Sequence, residues 1–321
     1  DYYFPSLPVE QELFPAIQDF DFEIVLHDVS PVLDFFLPTW TGLNHSILHG
    51  HFNSIKHAIT FTGTIPSFGY RSMLVDTLDI EATTINERLH FSVISSYLYA
   101  GDSMIILHPA IKAAIAGDSA AVDLSASNFN GNSYLNLKTL FTGDSAGFMV
   151  KVLPSDLVLN SNRWNVSEDN FITYSDQRLR FNNFTISHDD QSLSVSNVNL
   201  RPRATNLHFD FNKLPIADLL HLLKVDDFNI AGNLSGSMEL LNVFNAPRLQ
   251  ANTLLSDLII NEVSVAEAVV NVNFIPEDDQ ISAQMLVTDA SFDIRATGSY
   301  FPRKTEDPLN FDFDIRKFDL R

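Results

Sequence analysis

The 321-residue chain contains no cysteine, so it forms no disulfide and offers no thiolate to a metal. Basic residues are scarce: 20 Lys and Arg stand against 40 Asp and Glu, a net charge of -20. A surface of that sign repels phosphates, which excludes broad binding to nucleic acid or to anionic lipid headgroups. No apolar run approaches the roughly 18 residues of a membrane-spanning helix, and neither a signal peptide nor an initiator methionine is present. The sequence therefore reads as a piece of a longer protein whose membrane anchor, if it has one, lies elsewhere. Tryptophan is nearly missing, two residues against 26 phenylalanines. So acidic a chain with so much phenylalanine calls for many elements with one oily face.

Alternation supplies them. Leu207-His-Phe209-Asp-Phe211-Asn repeats with period two, the mark of a strand with one buried and one wet face. Pro215 and the leucines that follow, to Lys224, suggest a short amphipathic helix. Ile230 to Leu240 then returns to alternation through Gly232 and Gly236. The same cassette opens at Phe20-Asp-Phe22-Glu-Ile24, continues with Pro31 to Phe36, and matches Leu48-His-Gly50-His-Phe52 to Leu234-Ser-Gly236-Ser-Met238. A third copy begins at Leu309-Asn-Phe311-Asp-Phe313-Asp-Ile315 and is incomplete. One construction is reused, though at no fixed short period.

Between the cassettes, short alternating runs are separated by turn signals such as Gly101-Asp102-Ser103, Gly117-Asp118-Ser119, Gly143-Asp144-Ser145 and His188-Asp189-Asp190. Ile111 to Ala116 suits helix by alanine content and strand by alternation; strand is preferred. Asn182-Asn183 shifts the apolar parity by one, as a bulge or tight turn does. The fold expected is mostly antiparallel β, one elongated curled sheet with two or three short helices. Residues 1–19 form an irregular segment with a possible turn at Val9 to Phe14. Residues 20–321 form one continuous body. The strand from Leu309 should lie at an open edge and support self-association.

Searches for chemistry return structural readings. Gly-Asp-Ser occurs three times between strands and is followed by Met104, Ala120 or Ala146, which fits turns better than a lipase signature. His45, His49, His51 and His57 lack a carboxylate at ligand spacing and read as solvent-facing. Asp226-Asp227 and Asp278-Asp279 are adjacent acids in turns. Trp164 is placed in a strand and Trp40 in a loop. No catalytic residue, metal ligand or cofactor is expected.

The positive feature is the apolar stripe: Phe20, Phe22, Ile24, Phe61, Phe91, Leu207, Phe209, Phe211, Val270, Val272, Phe274, Phe292, Ile294, Leu309, Phe311 and Phe313. Periodicity alone leaves two readings open, the core of a β-sandwich or the lining of an open groove.

The opening Leu309-Asn-Phe-Asp-Phe-Asp-Ile resembles strand openings of TamB-like proteins within the AsmA-like group. So does Leu234-Ser-Gly-Ser-Met-Glu-Leu running on to Pro247. Asn162-Arg-Trp164 followed by Phe184 to Leu193 resembles that family's tryptophan strand and its strand ending in Asp-x-Gln. The glycine usual after the Gln strand is replaced by Ser196-Asn197. The resemblance implies a β-taco whose interior groove carries phospholipid acyl chains across the periplasm. It also implies an inner-membrane anchor, a role in outer-membrane biogenesis and a BamA-like barrel partner; the diction is similar to the Bacteroidetes branch. The competing expectation is a chaperone that binds outer-membrane barrel strands by strand addition.

Overall fold

In the computed structural model the described residues are 2–6, 17–100, 104–128, 130–154, 157–159, 161–198, 204–216, 230–261, 263–276, 280–288, 291–301 and 308–318. Strand accounts for 74% of the described residues and helix for 3%, in large curled antiparallel sheets that do not close into barrels. Contacts group the chain into two compact units, Asp1–Asn165 and Val166–Arg321.

The first unit contains β1 (Asp19–Leu26), α1 (Ser30–Phe36), β2 (Trp40–Gly42), β3 (Ser46–Asn53), β4 (Ala58–Tyr70), β5 (Met73–Ile85) and β6 (Arg88–Ala100). It continues with β7 (Met104–Ala116), β8 (Ser119–Ser127), β9 (Ser133–Asp144), β10 (Gly147–Val152), β11 (Val158–Leu159) and β12 (Asn162–Arg163). Hydrogen bonding runs β1-β3-β4-β5-β6-β7-β8-β9-β10, with β2 on β4 and β11 between β9 and β12. From β3 to β10 the path is a meander of hairpins, which places almost every strand beside its sequence neighbour.

The hairpin turns explain the recurring polar dipeptides. Asn86-Glu87 and Gly117-Asp118 have positive φ at both positions, 49° and 62° in the first and 53° and 62° in the second. That is the primed turn whose twist matches the flanking strands, and Gly, Asn and Asp tolerate it best. The Gly-Asp-Ser motifs at Gly117 and Gly143 are therefore turn chemistry, while residues 101–103 lie outside the described residues; Asp144 accepts hydrogen bonds from Ala146 N and Gly147 N at 2.8 and 3.0 Å in the β9–β10 hairpin. Ile111 to Ala116 lies in β7, so alternation prevails over alanine propensity.

The second unit begins with β13 (Asn165–Val166), the hairpin β14 (Phe171–Ser175) and β15 (Arg178–Asn182), then β16 (Phe184–His188) and β17 (Gln191–Asn197). After these come β18 (Leu207–Pro215), β19 (Ile230–Leu241), β20 (Arg248–Ile260), β21 (Val263–Ile275), β22 (Gln280–Thr288), β23 (Phe292–Tyr300) and β24 (Leu309–Phe318). The sheet path is β13-β16-β17-β18-β19-β20-β21-β22-β23-β24, antiparallel wherever consecutive strands pair. The parity shift at Asn182-Asn183 is the break between β15 and β16, and Asn183 has φ 45°. Asn197 ties the β14–β15 hairpin to β17. Its Oδ1 accepts from Phe181 N at 2.7 Å and its Nδ2 donates to Leu179 O at 2.9 Å.

Two of the cassettes share one strand pairing. Phe22 pairs with Gly50 across β1–β3, and Phe211 pairs with Gly236 across β18–β19. β24 is a strand at the end of its sheet path, as expected. Among the described residues there is one helix, α1, opened by a proline in its first turn and seated through buried Leu33. The expected turn at Val9 to Phe14 falls at residues 9–14, outside the described residues, and so does the expected helix beyond Ile216. Trp40 corrects the sequence reading: it opens β2, opposite Tyr70, with its ring 5.2 Å from that of Phe68 and 5.3 Å from that of Tyr70. Trp164 falls between the two-residue strands β12 and β13 rather than inside one.

Candidate apolar groove

Registers place the expected stripe residues of each unit on one face. In the first unit a row crosses the sheet as Phe22–Gly50–Phe61–Ala82–Phe91–Ala113–Val122. The next row is Ile24–Leu48–Gly63–Ile80–Val93–Ile111–Leu124. In the second unit one row runs Val195–Phe209–Met238–Ala251–Val272–Ala283–Gly298–Phe311. Its neighbour runs Leu193–Phe211–Gly236–Thr253–Val270–Met285–Ala296–Phe313. Leu207, Phe274 and Leu309 share a flanking row, and Ile294 pairs with Ile315 and Val287 in another.

These rows place rings beside glycine or alanine. A side chain on the inner face of a curl converges on its neighbours, so a ring needs a small residue across from it. A Cβ on Gly50 would overlap the Phe22 ring, and one on Gly298 would overlap Phe311. Over Gly50 the rings of Phe22 and Phe61, two strands apart, come within 6.2 Å at an interplanar angle of 29°. Along the strands the rings also stack: Phe209 on Phe211 at 6.4 Å and 6°, Phe311 on Phe313 at 6.4 Å and 30°.

In β20 burial distinguishes the faces. In β20 the apolar positions Leu249, Ala251, Thr253 and Leu255 are half-buried, while Gln250, Asn252 and Leu254 between them are exposed. Phe22, Phe61, Phe91, Phe209, Phe211, Val270, Val272 and Phe274 are all half-buried, neither sealed nor free. At the edges Phe20, Ile24, Leu309, Phe311 and Phe313 are open, with Phe313 64% exposed.

Two expected groove residues are packed shut. Phe292 belongs to a closed core with Ile216, Leu258, Ala268 and Val287, and Leu207 is 4% exposed. Ile216, just after β18, supplies contact that alternation within the strands does not reveal.

The opposite face is polar. A depression of about 580 Å³ there is lined by Gln250, Asn252, Asn271, Gln284 and Asp312 among others. Leu254, Val269 and Leu286 interrupt it as an apolar trio 36–42% exposed, which the sequence reading did not anticipate. The β1–β3 register also brings acids to the histidines. His51 Nδ1 lies 2.9 Å from Asp21 Oδ1, His51 Nε2 lies 3.5 Å from Asp19 Oδ1, and His49 Nδ1 lies 4.0 Å from Glu23 Oε1. Those carboxylates are about 30 positions away in sequence and are brought close only by the ladder, Asp21 and Glu23 directly across it and Asp19 diagonally. Among the described residues no group of three or more His, Asp or Glu side chains is arranged to hold a metal. On the same polar side of the second unit, Lys213 Nζ lies 2.6 Å from Asp190 Oδ2. That contact holds the Asp190 carboxyl below its ordinary value and the Lys213 ammonium above its own.

Fold and face together define a class: curled, open antiparallel β sheets, each with one apolar and one polar face. No family model, characterised protein or solved structure matches the chain. No helix among the described residues is long and apolar enough to cross a membrane.

Proposed function

We propose that the apolar faces are a groove for phospholipid acyl chains, in a periplasmic protein that moves lipid between the inner and outer membranes and does no catalytic chemistry. The observation that carries this reading is the partly exposed apolar row, unsealed from Phe209 across to Phe311. A sandwich core would bury such rings fully. Exposing an acyl chain of about 16 carbons to water costs on the order of 13 kcal/mol at ~0.8 kcal/mol per methylene. A continuous apolar trough offsets most of that while the headgroup stays wet. The net charge of -20 suits this division, since it disfavours capture of anionic headgroups and leaves the acyl chain as the recognised part. The resemblance to TamB-like proteins supports an inner-membrane anchor beyond this chain and a BamA-like outer-membrane partner.

Native mass spectrometry of the purified chain tests the proposal. Lipid-sized mass additions that survive gentle desolvation are expected. A chain that remains lipid-free after incubation with phospholipid vesicles would count against the groove. A second reading, capture of unfolded barrel strands, draws on β24, which ends its sheet path and carries exposed Leu309, Phe313 and Ile315. Protection of β24 amides from hydrogen exchange by strand peptides, without lipid binding, would favour it.

A further inference from the structure

Residues 2–6 of the first unit cross one end of its curled sheet. The Tyr3 hydroxyl donates to His57 O at 3.0 Å and lies 2.6 Å from Thr84 Oγ1. Tyr2 stacks on the His57 ring at 4.1 Å and 5°. Phe4 packs edge-on against Phe141 at 6.2 Å. Ser6 then donates twice to the Asp118 carboxylate, from N at 2.8 Å and from Oγ at 2.7 Å. Asp118 N donates back to Tyr3 O at 3.0 Å.

These anchors are far apart around the sheet. His57 precedes β4 and Phe141 is on β9, five strand spacings away, roughly 24 Å along the arc. Tyr2 and Phe4 are two residues apart, at most ~7 Å of backbone. With the reach of the Tyr2 and Phe4 side chains added, this short segment spans from the turn before β4 to β9. It lies on the apolar side: Phe141 pairs with Ala120 and Val150, and Thr84 pairs with Leu89, all positions of the inner face. The segment follows one row of hairpin ends, those at His57 and Asp118.

We infer that Tyr2–Ser6 is a clasp that closes this end of the first unit's trough, so that an acyl chain enters and leaves the trough from the opposite end. This rests on the groove reading above. The clasp is held by hydrogen bonds to a tyrosine and a carboxylate rather than by a buried core. Ser6 and Asp118 meet at an exposed site, so the clasp can open without unfolding the sheet.

The native chain has no cysteine, which makes single-cysteine reporters clean. Ala120→Cys reports the clasped end: Ala120 is 6% exposed and pairs with Phe141. Val93→Cys reports mid-trough. The clasp is released by Tyr3→Phe with Asp118→Gly, the glycine accepting the φ of 62° at that turn. Maleimide labelling at position 120 should accelerate by about tenfold or more on release, from the loss of several hydrogen bonds. Monopalmitoyl lysophosphatidylcholine should protect position 93 in both backgrounds. An unchanged rate at 120 with protection at 93 intact overturns the clasp and leaves the groove standing. No protection at 93 in either background overturns the groove, and the clasp's gating role with it. If the double variant loses its strand circular dichroism, Tyr3→Phe alone carries the same comparison.

Discussion

Phe209→Asp and Phe292→Asp place the same carboxylate on the same face of the second unit, at positions with opposite surroundings. Phe209 is half-buried in the open row, whereas Phe292 is 4% exposed within a closed core. Fully burying a phenylalanine contributes up to about 3 kcal/mol, so half-burial at position 209 contributes roughly 1–1.5 kcal/mol. Lower strand preference for aspartate adds about 1 kcal/mol. The new carboxylate hydrates through the open side, so the expected loss is about 2–3 kcal/mol. At an m-value near 2 kcal/mol/M that lowers the urea midpoint by on the order of 1 M. At position 292 the charge has neither water nor a partner, and the loss should exceed about 4 kcal/mol. Urea titration followed by far-ultraviolet circular dichroism separates the two. If Phe209→Asp unfolds the second unit as completely as Phe292→Asp, the row is a sealed core and the argument from partial burial is wrong.

Gly236→Ala should cost more than Gly50→Ala, by about 1 kcal/mol or more in thermal or urea unfolding. Gly236 has φ 129° with Asn252 O against the added Cβ, while at Gly50 only the Phe22 ring must move. Lys213→Gln should return the Asp190 carboxyl to its ordinary range by NMR titration. The native pair's contribution is present above the ordinary Asp value of 3.8 and is lost as pH falls below it; for Lys213 it is present below 10.5 and lost as pH rises through its raised value. Removing the ammonium should flatten both windows. Sedimentation should show concentration-dependent self-association through β24, abolished by Phe313→Lys; a strict monomer at every concentration would contradict it.

Much of the fold is legible because period two is a local signal. Phe20-Asp-Phe22-Glu-Ile24 and Leu309-Asn-Phe311-Asp-Phe313 assign their faces without reference to any neighbour. Turn residues likewise act locally, as Gly117-Asp118 does through its own φ values. What the sequence hid is cross-strand. His51 meets Asp19 and Asp21 only once the β1–β3 register is set. Phe292 and Leu207 alternate like their neighbours, yet Phe292 is sealed with Ile216 beyond the end of β18. Trp40 was hidden by Pro38 before it, although a strand can begin two residues past a proline. The division near Trp164 has no Gly, Ser or Pro linker to announce it. The clasp at residues 2–6 has no periodicity at all, because its partners are turn and side-chain atoms gathered by the curl.

Photo-crosslinking tests the central claim most directly. A photoreactive residue at position 209 faces the apolar row, and one at 210 faces the exposed polar side beside Ser194 and Ser237. In cells making the protein, the residue at 209 should capture phospholipid and the one at 210 should not. Equal capture at both positions, or none at 209 while the protein remains folded, would contradict an acyl-chain groove on this face.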